Sequence, residues 1–157
     1  MTPFAISLIE ETFAKIEPQK DAFAKHFYED LFATAPETRP YFDGKDMDEQ
    51  GAKLMAAITS VVEGLSDIES LIPKAEEIAQ QHVAYGVQPG DYDTFGASLM
   101  RTLARTLEAD FHQEAEMAWD ELYNLLATVM KFAAYDVGGR GFKPTRPAGQ
   151  KPFWKFW

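Results

Sequence analysis

The chain has 157 residues, a length that favours one compact domain and is too short for a dehydrogenase or kinase of usual size. Hydrophobic residues make up 46% and aromatic residues 13%, which is enough for one buried core and excludes a low-complexity chain. The sequence contains no Cys, so disulfide frameworks, thiolate metal sites, thiol catalysis and thioether-linked cofactors are excluded. Any metal must be held by His, by carboxylates or by a cofactor.

The charge is divided unevenly along the chain. All 25 acidic residues but only 10 of the 15 Lys and Arg lie in 1–137, so this body carries a net charge of −15, whereas 138–157 carry +5. Because an acidic body repels a phosphate backbone, we expect no nucleic-acid partner. The N-terminal residues lack a basic leader, and Gly86 and Pro89 interrupt the longest uncharged run, 78–90. We therefore expect neither a secretory signal nor a membrane span, and a cytoplasmic protein.

Apolar residues recur at helical spacing throughout the body, and no sustained strand-like alternation occurs. A first helix follows the cap and first-turn pair Thr2-Pro3 and ends before Pro18. We then predict, in chain order, a helix from Gln19 to Thr34, a helical turn between Pro36 and Phe42, a polar loop from Asp43 to Glu49, and helices over 48–66, 69–85 (with Gly86 as its C-terminal cap), 89–109 and 113–136. The predicted fold class is all-α.

The last twenty residues differ from the body. Residues 138–157 contain seven Gly or Pro and five basic residues, and they end in an aromatic segment, 153–157. We predict two units, a folded domain over 1–137 and a tail over 138–157. The tail is expected to be disordered or to fold back on the acidic body, with contact to a partner or a membrane surface as the alternative.

Each of the three histidines can be assessed by its position. His82 lies on the apolar stripe of its helix, with Ile78 one turn earlier, so its imidazole is either a hydrogen-bonded core group or an axial ligand of a buried metal or haem. His26 is expected at a helix boundary or on the surface. His112 is expected in a solvated loop, although with Glu116 it could ligate a metal.

Two further polar residues lie on apolar helix faces. Gln50 either places its amide in water at a frayed first turn or buries it, and an unpaired buried amide costs about 1–3 kcal/mol. Tyr28 is either an ordinary core tyrosine bonded to a main-chain carbonyl or part of a pocket. Together with His82 they place three polar groups on three helices, which suggests a shared pocket.

Four segments resemble a known family: HFYEDLFATAPETRPYF (26–42), DEQGAKLMAAI (48–58), EEIAQQHVAYGVQPGDY (76–92) and AWDELYNLLATVM (118–130). They are similar, in the same order, to bacterial single-domain haemoglobins and to the globin half of flavohaemoglobins. The resemblance covers about 1–136. It implies a globin fold with helices A, B, C, E, F, G and H, and haem b as cofactor.

The resemblance also implies a role for each matching residue. His82 corresponds to the proximal iron ligand, and Phe42 to the aromatic residue against the porphyrin. Tyr28 and Gln50 correspond to the distal hydrogen-bonding pair, and Leu54 to the apolar residue over the iron. Tyr92 matches the proximal-side tyrosine, and Ile78 is expected to contact the cofactor.

The sequence departs from the flavohaemoglobin pattern in two places. Flavohaemoglobins carry a Glu on the last helix that completes a proximal relay, and Phe132 is expected at that position. The flavin and nicotinamide domains have no counterpart, so a separate reductase would have to supply electrons.

These features imply a haem protein that binds O2, NO and CO, for oxygen binding or transport or for NO dioxygenation with a separate reductase. A haem-based gas or redox sensor, with the tail as an interaction surface, is the alternative, and a globin-shaped module without haem is a third. The sequence leaves a monomer and a homodimer equally open.

Overall fold

The computed structural model describes residues 1–84 and 88–135, except the side chains of Tyr41, Ile78, Tyr135 and residues 81–84. The predicted tail, 138–157, and the predicted cap at Gly86 therefore lie outside the described residues.

Six α-helices make up most of the described chain. They are α1 (Pro3–Ile16), α2 (Lys20–Thr34), α3 (Met47–Glu63), α4 (Ile68–Ala84), α5 (Pro89–Leu107) and α6 (Gln113–Tyr135). Short 3₁₀ helices occupy Glu17–Gln19, Pro36–Phe42, Gly64–Asp67 and Glu108–Asp110. No strand occurs in these described residues, and the all-α prediction is confirmed.

Side-chain caps set where the helices begin. The Oγ1 atom of Thr2 accepts the Ala5 N–H at 3.1 Å, as the predicted cap requires. Asp46 accepts the N–H groups of Asp48 and Glu49 at 2.9 and 3.3 Å, so α3 already begins at Met47. The predicted loop to Glu49 is thus too long.

The helix ends differ from the predictions by a few residues. Helix α3 ends at Glu63, not Ser66, because the chain tightens into a 3₁₀ turn at Gly64. Helix α5 ends at Leu107, not Ala109, where a second 3₁₀ turn begins. Hydrophobic spacing does not distinguish a last α-helical turn from a 3₁₀ turn, since both keep apolar residues on the same side.

Helix α6 packs against α1 and α4, and α2 packs against α3 and α5. The core consists of two apolar clusters that share the partly buried Leu54, Leu99 and Leu126. One cluster contains Tyr28, Phe42, Tyr92, Ala79 and neighbouring residues. The other surrounds Trp119, whose Nε1 donates to Thr12 Oγ1 at 2.9 Å and ties α6 to α1.

Candidate functional site

An apolar cavity of about 150 Å³ lies where the two core clusters meet. Its walls come from α2, α3, α5 and α6, and include Phe27, Leu54, Ile58, Tyr92 and Phe95. Two of the predicted site residues, Leu54 and Tyr92, therefore line it. Such lining suits an apolar group and offers few partners to a polar one.

Tyr28 lies on α2 in the same cluster as Phe42 and Tyr92, and only 6% of it is exposed. Its hydroxyl donates to the main-chain oxygen of Gln50 at 3.5 Å, which is the long limit of a hydrogen bond. Burial raises the pKa of this hydroxyl well above its usual range, so it remains a neutral donor at physiological pH.

Gln50 lies in the first turn of α3 and is 3% exposed. Its amide is thus not in water, and the frayed-turn alternative is wrong. The side-chain oxygen Oε1 is buried without a hydrogen-bond partner. The following residue is Gly51, where an added Cβ would lie 3.0 Å from the Ala24 Cβ, so a small residue lets α3 approach α2 closely.

Aromatic packing surrounds Tyr28. The Phe42 ring, 5% exposed at the end of a 3₁₀ helix, lies 5.3 Å from the Tyr28 ring in an edge-to-face arrangement. Phe27 contacts the other side at 5.1 Å. Leu54, one helical turn after Gln50, packs against this cluster. The structure thus brings Tyr28, Gln50, Phe42 and Leu54 together.

Tyr92 is buried at the start of α5 and is held through several contacts. Its main-chain oxygen accepts the hydroxyl of Tyr123 from α6. The Lys131 ammonium lies 5.8 Å from the centre of the Tyr92 ring and 2.9 Å from Asp93 Oδ1. The position of Tyr92 is therefore determined by the α5–α6 contact.

His82 and Ile78 lie in α4, but their side chains are outside the description. Three and seven residues before His82, Ala79 and Ala75 are buried in the cluster that contains Tyr28 and Tyr92. Residues at these spacings share one helical face. The backbone register of α4 is therefore compatible with the predicted proximal role, which stays a prediction.

The other two histidines lie away from this cluster. His26 lies within α2, not at its boundary, and is half-buried. His112 is exposed between α5 and α6, as expected, and its Nδ1 atom lies 2.9 Å from Glu114 Oε2. Among the side chains that the structure describes, no group of three His or acidic residues is arranged to hold a metal ion.

Phe132, which the resemblance places at the position of the relay Glu, does not face the interior of the structure. It lies on α6 and is 63% exposed, whereas Met130 and Ala134 on the same helix are buried. A side chain at position 132 therefore lies on the exposed face of α6. The inward positions near the end of α6 still carry no carboxylate in the described part of the chain.

One contact near the site leaves no signal in the sequence. Arg101 of α5 hydrogen-bonds both carboxylate oxygens of Asp30 on α2, at 2.8–3.0 Å. The two residues lie 71 positions apart, and neither belongs to an apolar stripe. Only the fold brings them together.

Similarity to known proteins covers most of the chain. The family model described as Globin matches residues 25–130. A flavohemoprotein from Vibrio cholerae is 29% identical over 131 residues, which are 82% of this chain and 33% of that protein. Hemoglobin subunit zeta from Homo sapiens is 29% identical over 131 residues, 79% of this chain and 91% of that subunit. A flavohemoprotein from Bordetella parapertussis is 27% identical over 132 residues, which are 83% of this chain and 33% of that protein. The chain therefore spans about a third of the length of these flavohemoproteins.

No helix in the described ranges is long and apolar enough to cross a membrane.

Proposed function

This chain belongs to the globin family, and on that premise we propose that it binds haem b, with His82 as the axial ligand, and reversibly binds O2, NO and CO. Tyr28 and Gln50 act as the polar groups on the gas-binding side. Phe42, Leu54, Ile78 and Tyr92 contact the cofactor.

The observation that supports this proposal most strongly is the buried amide of Gln50. Its Oε1 has no partner, and the Tyr28 hydroxyl nearby has only a long bond to a main-chain oxygen. An unpaired buried amide costs about 1–3 kcal/mol. Leu54 lines the apolar cavity and also packs against the cluster that contains Tyr28, so a mainly apolar ligand with one polar end would lie between the cavity and these polar groups.

The size of the cavity indicates where the cofactor would lie. A cavity of about 150 Å³ is small beside the roughly 300–1,000 Å³ typical of cofactor sites. Haem would therefore need space beyond this cavity, and the proposed ligand His82 puts that space on the side of α4. Ala75 and Ala79 of α4 are buried in the cluster that contains Tyr28 and Tyr92, so α4 already borders that cluster.

Haem, when bound, supplies an iron that coordinates diatomic gases. With haem bound, the Tyr28 hydroxyl would donate a hydrogen bond to the gas instead of to the Gln50 carbonyl, and the amide nitrogen of Gln50 would donate a second one. Because O2 takes on negative charge when it binds, these donors favour it over less polar CO. Leu54 and Phe42 exclude water from this space and so slow oxidation.

NO dioxygenation is the finer form of this proposal. The reaction joins O2 and NO to give nitrate and consumes one electron in each turnover. A separate reductase in the cytoplasm supplies that electron. The same two donors, Tyr28 and Gln50, hold the O2 that reacts.

An absorption titration tests the proposal. Haem added to the haem-free chain should give a Soret band that saturates at one equivalent and shifts when the reduced protein receives CO. Absence of saturable binding would instead favour a globin-shaped module without haem. Nitrate formation from NO, measured with and without a flavin reductase, then distinguishes dioxygenation from oxygen binding alone.

A further inference from the structure

Four polar side chains tie α2 to α5 beside the core, and we call them the α2–α5 clamp: Asp30 and Thr34 of α2 with Ser98 and Arg101 of α5. Arg101 Nε lies 3.0 Å from each carboxylate oxygen of Asp30. Arg101 Nη2 lies 2.8 Å from Asp30 Oδ1, 3.1 Å from Thr34 Oγ1 and 3.2 Å from Ser98 Oγ. One guanidinium therefore holds two successive turns of α2 against α5.

The clamp is suited to fixing geometry rather than to adding stability. The Arg101 side chain is 46% exposed, and ion pairs that are this exposed contribute little to the free energy of folding. A planar guanidinium nevertheless forms directional bonds, which lysine cannot reproduce. Ser98 anchors the arrangement because it is completely buried.

The clamp lies on the stripe of α2 that faces α5. Phe27 precedes Asp30 by three residues and packs against Phe95 of α5, with ring centres 6.0 Å apart. Tyr28 directly follows Phe27 on α2, so any rotation of α2 about its axis changes the direction of the Tyr28 side chain.

The contact made by Tyr28 is sensitive to such a rotation. Helix α2 also approaches α3 closely at Ala24 and Gly51, so the two helices cannot move nearer to each other there. The Tyr28 hydroxyl reaches the Gln50 oxygen at 3.5 Å, so a shift of a few tenths of an ångström breaks the bond.

We propose that Arg101 is a positioning residue: by holding Asp30 and Thr34 against α5, it fixes the rotation of α2 and thereby aims the Tyr28 hydroxyl at the gas-binding space. This inference deepens the proposed function, and measurements with gases test it only if that function holds. Measurements on the haem-free chain test the inference independently of the proposed function.

The first experiment uses the haem-free protein. Tyrosine labelled with ¹³C at Cζ reports the hydrogen bonding of each hydroxyl, and Tyr28→Phe identifies the Tyr28 signal. Arg101→Ala should shift or split that signal. Arg101→Lys should do the same, because a lysine ammonium lacks the planar set of N–H donors with which the guanidinium bonds both carboxylate oxygens. Lys15→Ala, which removes the 3.0 Å ion pair with Asp110 elsewhere, is the matched control and should leave the signal unchanged. An unchanged Tyr28 signal in Arg101→Ala, or full restoration by lysine, would overturn the inference.

The second experiment measures O2 dissociation by stopped flow, together with the C–O stretch of the CO complex. Arg101→Ala should speed O2 dissociation about three- to tenfold, as expected for a weakened hydrogen bond. In the Tyr28→Phe background the same change should have no further effect. Equal acceleration in both backgrounds would overturn the inference. If Tyr28→Phe alone leaves O2 dissociation unchanged, the proposed role of Tyr28 toward gases fails, and the haem-free Tyr28 signal still decides whether Arg101 positions it.

Discussion

The hydroxyl of Tyr28 and the main-chain oxygen of Gln50 lie 3.5 Å apart, while the side-chain oxygen of Gln50 is buried without a partner. The two residues belong to different helices, α2 and α3, which approach closely at Ala24 and Gly51. The chain thus keeps one weakly bonded donor and one unpaired amide oxygen, both buried, on neighbouring helices. A buried acceptor without a donor lowers the stability of the haem-free chain, and such costly groups occur at ligand sites. Bound O2 accepts hydrogen bonds, so the amide nitrogen of Gln50, and not Oε1, would contact it.

Gln50→Leu should therefore have opposite effects on stability and on gas binding. The replacement has nearly the same shape and removes the unpaired oxygen, so the haem-free protein should become about 1 kcal/mol more stable toward urea. In the haem-loaded protein the variant loses a donor to O2. Removing such a charge-assisted bond costs about 1.5–3 kcal/mol, so O2 should dissociate roughly 10- to 150-fold faster.

Thr38→Val is a suitable control for that variant. Thr38 is also buried, but its hydroxyl donates to the Ala35 oxygen at 2.7 Å, so its removal should lower stability and leave O2 dissociation unchanged. The distal pair is wrongly assigned if neither Gln50→Leu nor Tyr28→Phe alters O2 dissociation.

His82→Ala should abolish tight haem retention, because no other histidine is placed to replace it. His26→Ala and His112→Ala should retain the Soret band, since His112 lies on the exposed surface with Glu114 and His26 lies on α2 outside the core clusters. Transfer of haem to apomyoglobin measures retention in all three variants. Equal retention in His82→Ala and the unmodified chain would contradict the proximal assignment.

The apolar spacing of the sequence was sufficient to predict the order and type of the helices, and the motifs were sufficient to predict that Tyr28, Gln50, Phe42 and Leu54 converge. Periodicity could not decide whether Gln50 is buried, because a residue in a first turn faces water or core depending on how closely another helix approaches. That approach depends on Gly51 and Ala24, which lie far apart in the sequence.

The exposure of Phe132 could not be predicted for a similar reason. Each residue advances an α-helix by about 100°, so side chains one or two positions apart on α6 face the core or the surface, and a positional match alone does not decide which. The Asp30–Arg101 contact could not be predicted at all, since charged residues on polar faces have no preferred partner until the crossing of α2 and α5 is known.

Gly96→Ala should destabilise the protein by about 1–3 kcal/mol. An added Cβ would lie 2.4 Å from Cε1 of Tyr123, whose hydroxyl is already fixed on the Tyr92 oxygen, so the ring cannot move away freely. Gly90→Ala in the same helix is the matched control. Nothing lies within 4 Å of a Cβ at Gly90, so that change should be neutral or stabilising by up to about 1 kcal/mol. Urea denaturation of the two variants measures the difference, and equal stabilities would contradict the close packing at Gly96.

Acid should weaken the protein partly through Asp30. Burial raises the pKa of this carboxyl, but hydrogen bonds from Arg101 and Ser98, with the charges of Arg101 and Arg105, outweigh burial and hold it below its ordinary value of 3.8. The pKa of Asp30 is lower in the folded chain than in the unfolded chain. The contribution of ionised Asp30 to the free energy of unfolding is therefore complete above the unfolded pKa and is lost as pH falls through the folded pKa. Asp30→Asn should therefore be slightly less stable than the unmodified chain at neutral pH, because the ion pair is partly exposed, and the small difference should shrink in acid. A difference that stays constant between pH 7 and pH 3 would contradict the ionised state of Asp30.

The last prediction concerns the electronic character of the proximal side. In the relay of flavohaemoglobins, a carboxylate near the proximal imidazole draws its ring proton and so increases electron donation to the iron. Phe132 is 63% exposed, so Phe132→Glu places its carboxylate in water and should leave both peroxidase turnover and the ferrous iron–histidine stretch unchanged.

Ala134→Glu is the informative change, because Ala134 is buried in the cluster that also contains Ala75 and Ala79 of α4. A carboxylate at this position should raise the frequency of the iron–histidine stretch and increase peroxidase turnover. Ala134→Gln has nearly the same size but cannot accept the proton as strongly, so it separates the effect of charge from the cost of overpacking, about 1–3 kcal/mol in stability. If Phe132→Glu moves the stretch and Ala134→Glu does not, the inward face of α6 is wrongly identified. If the unmodified protein already has a peroxidase-like stretch, a group other than a carboxylate of α6 accepts the imidazole proton.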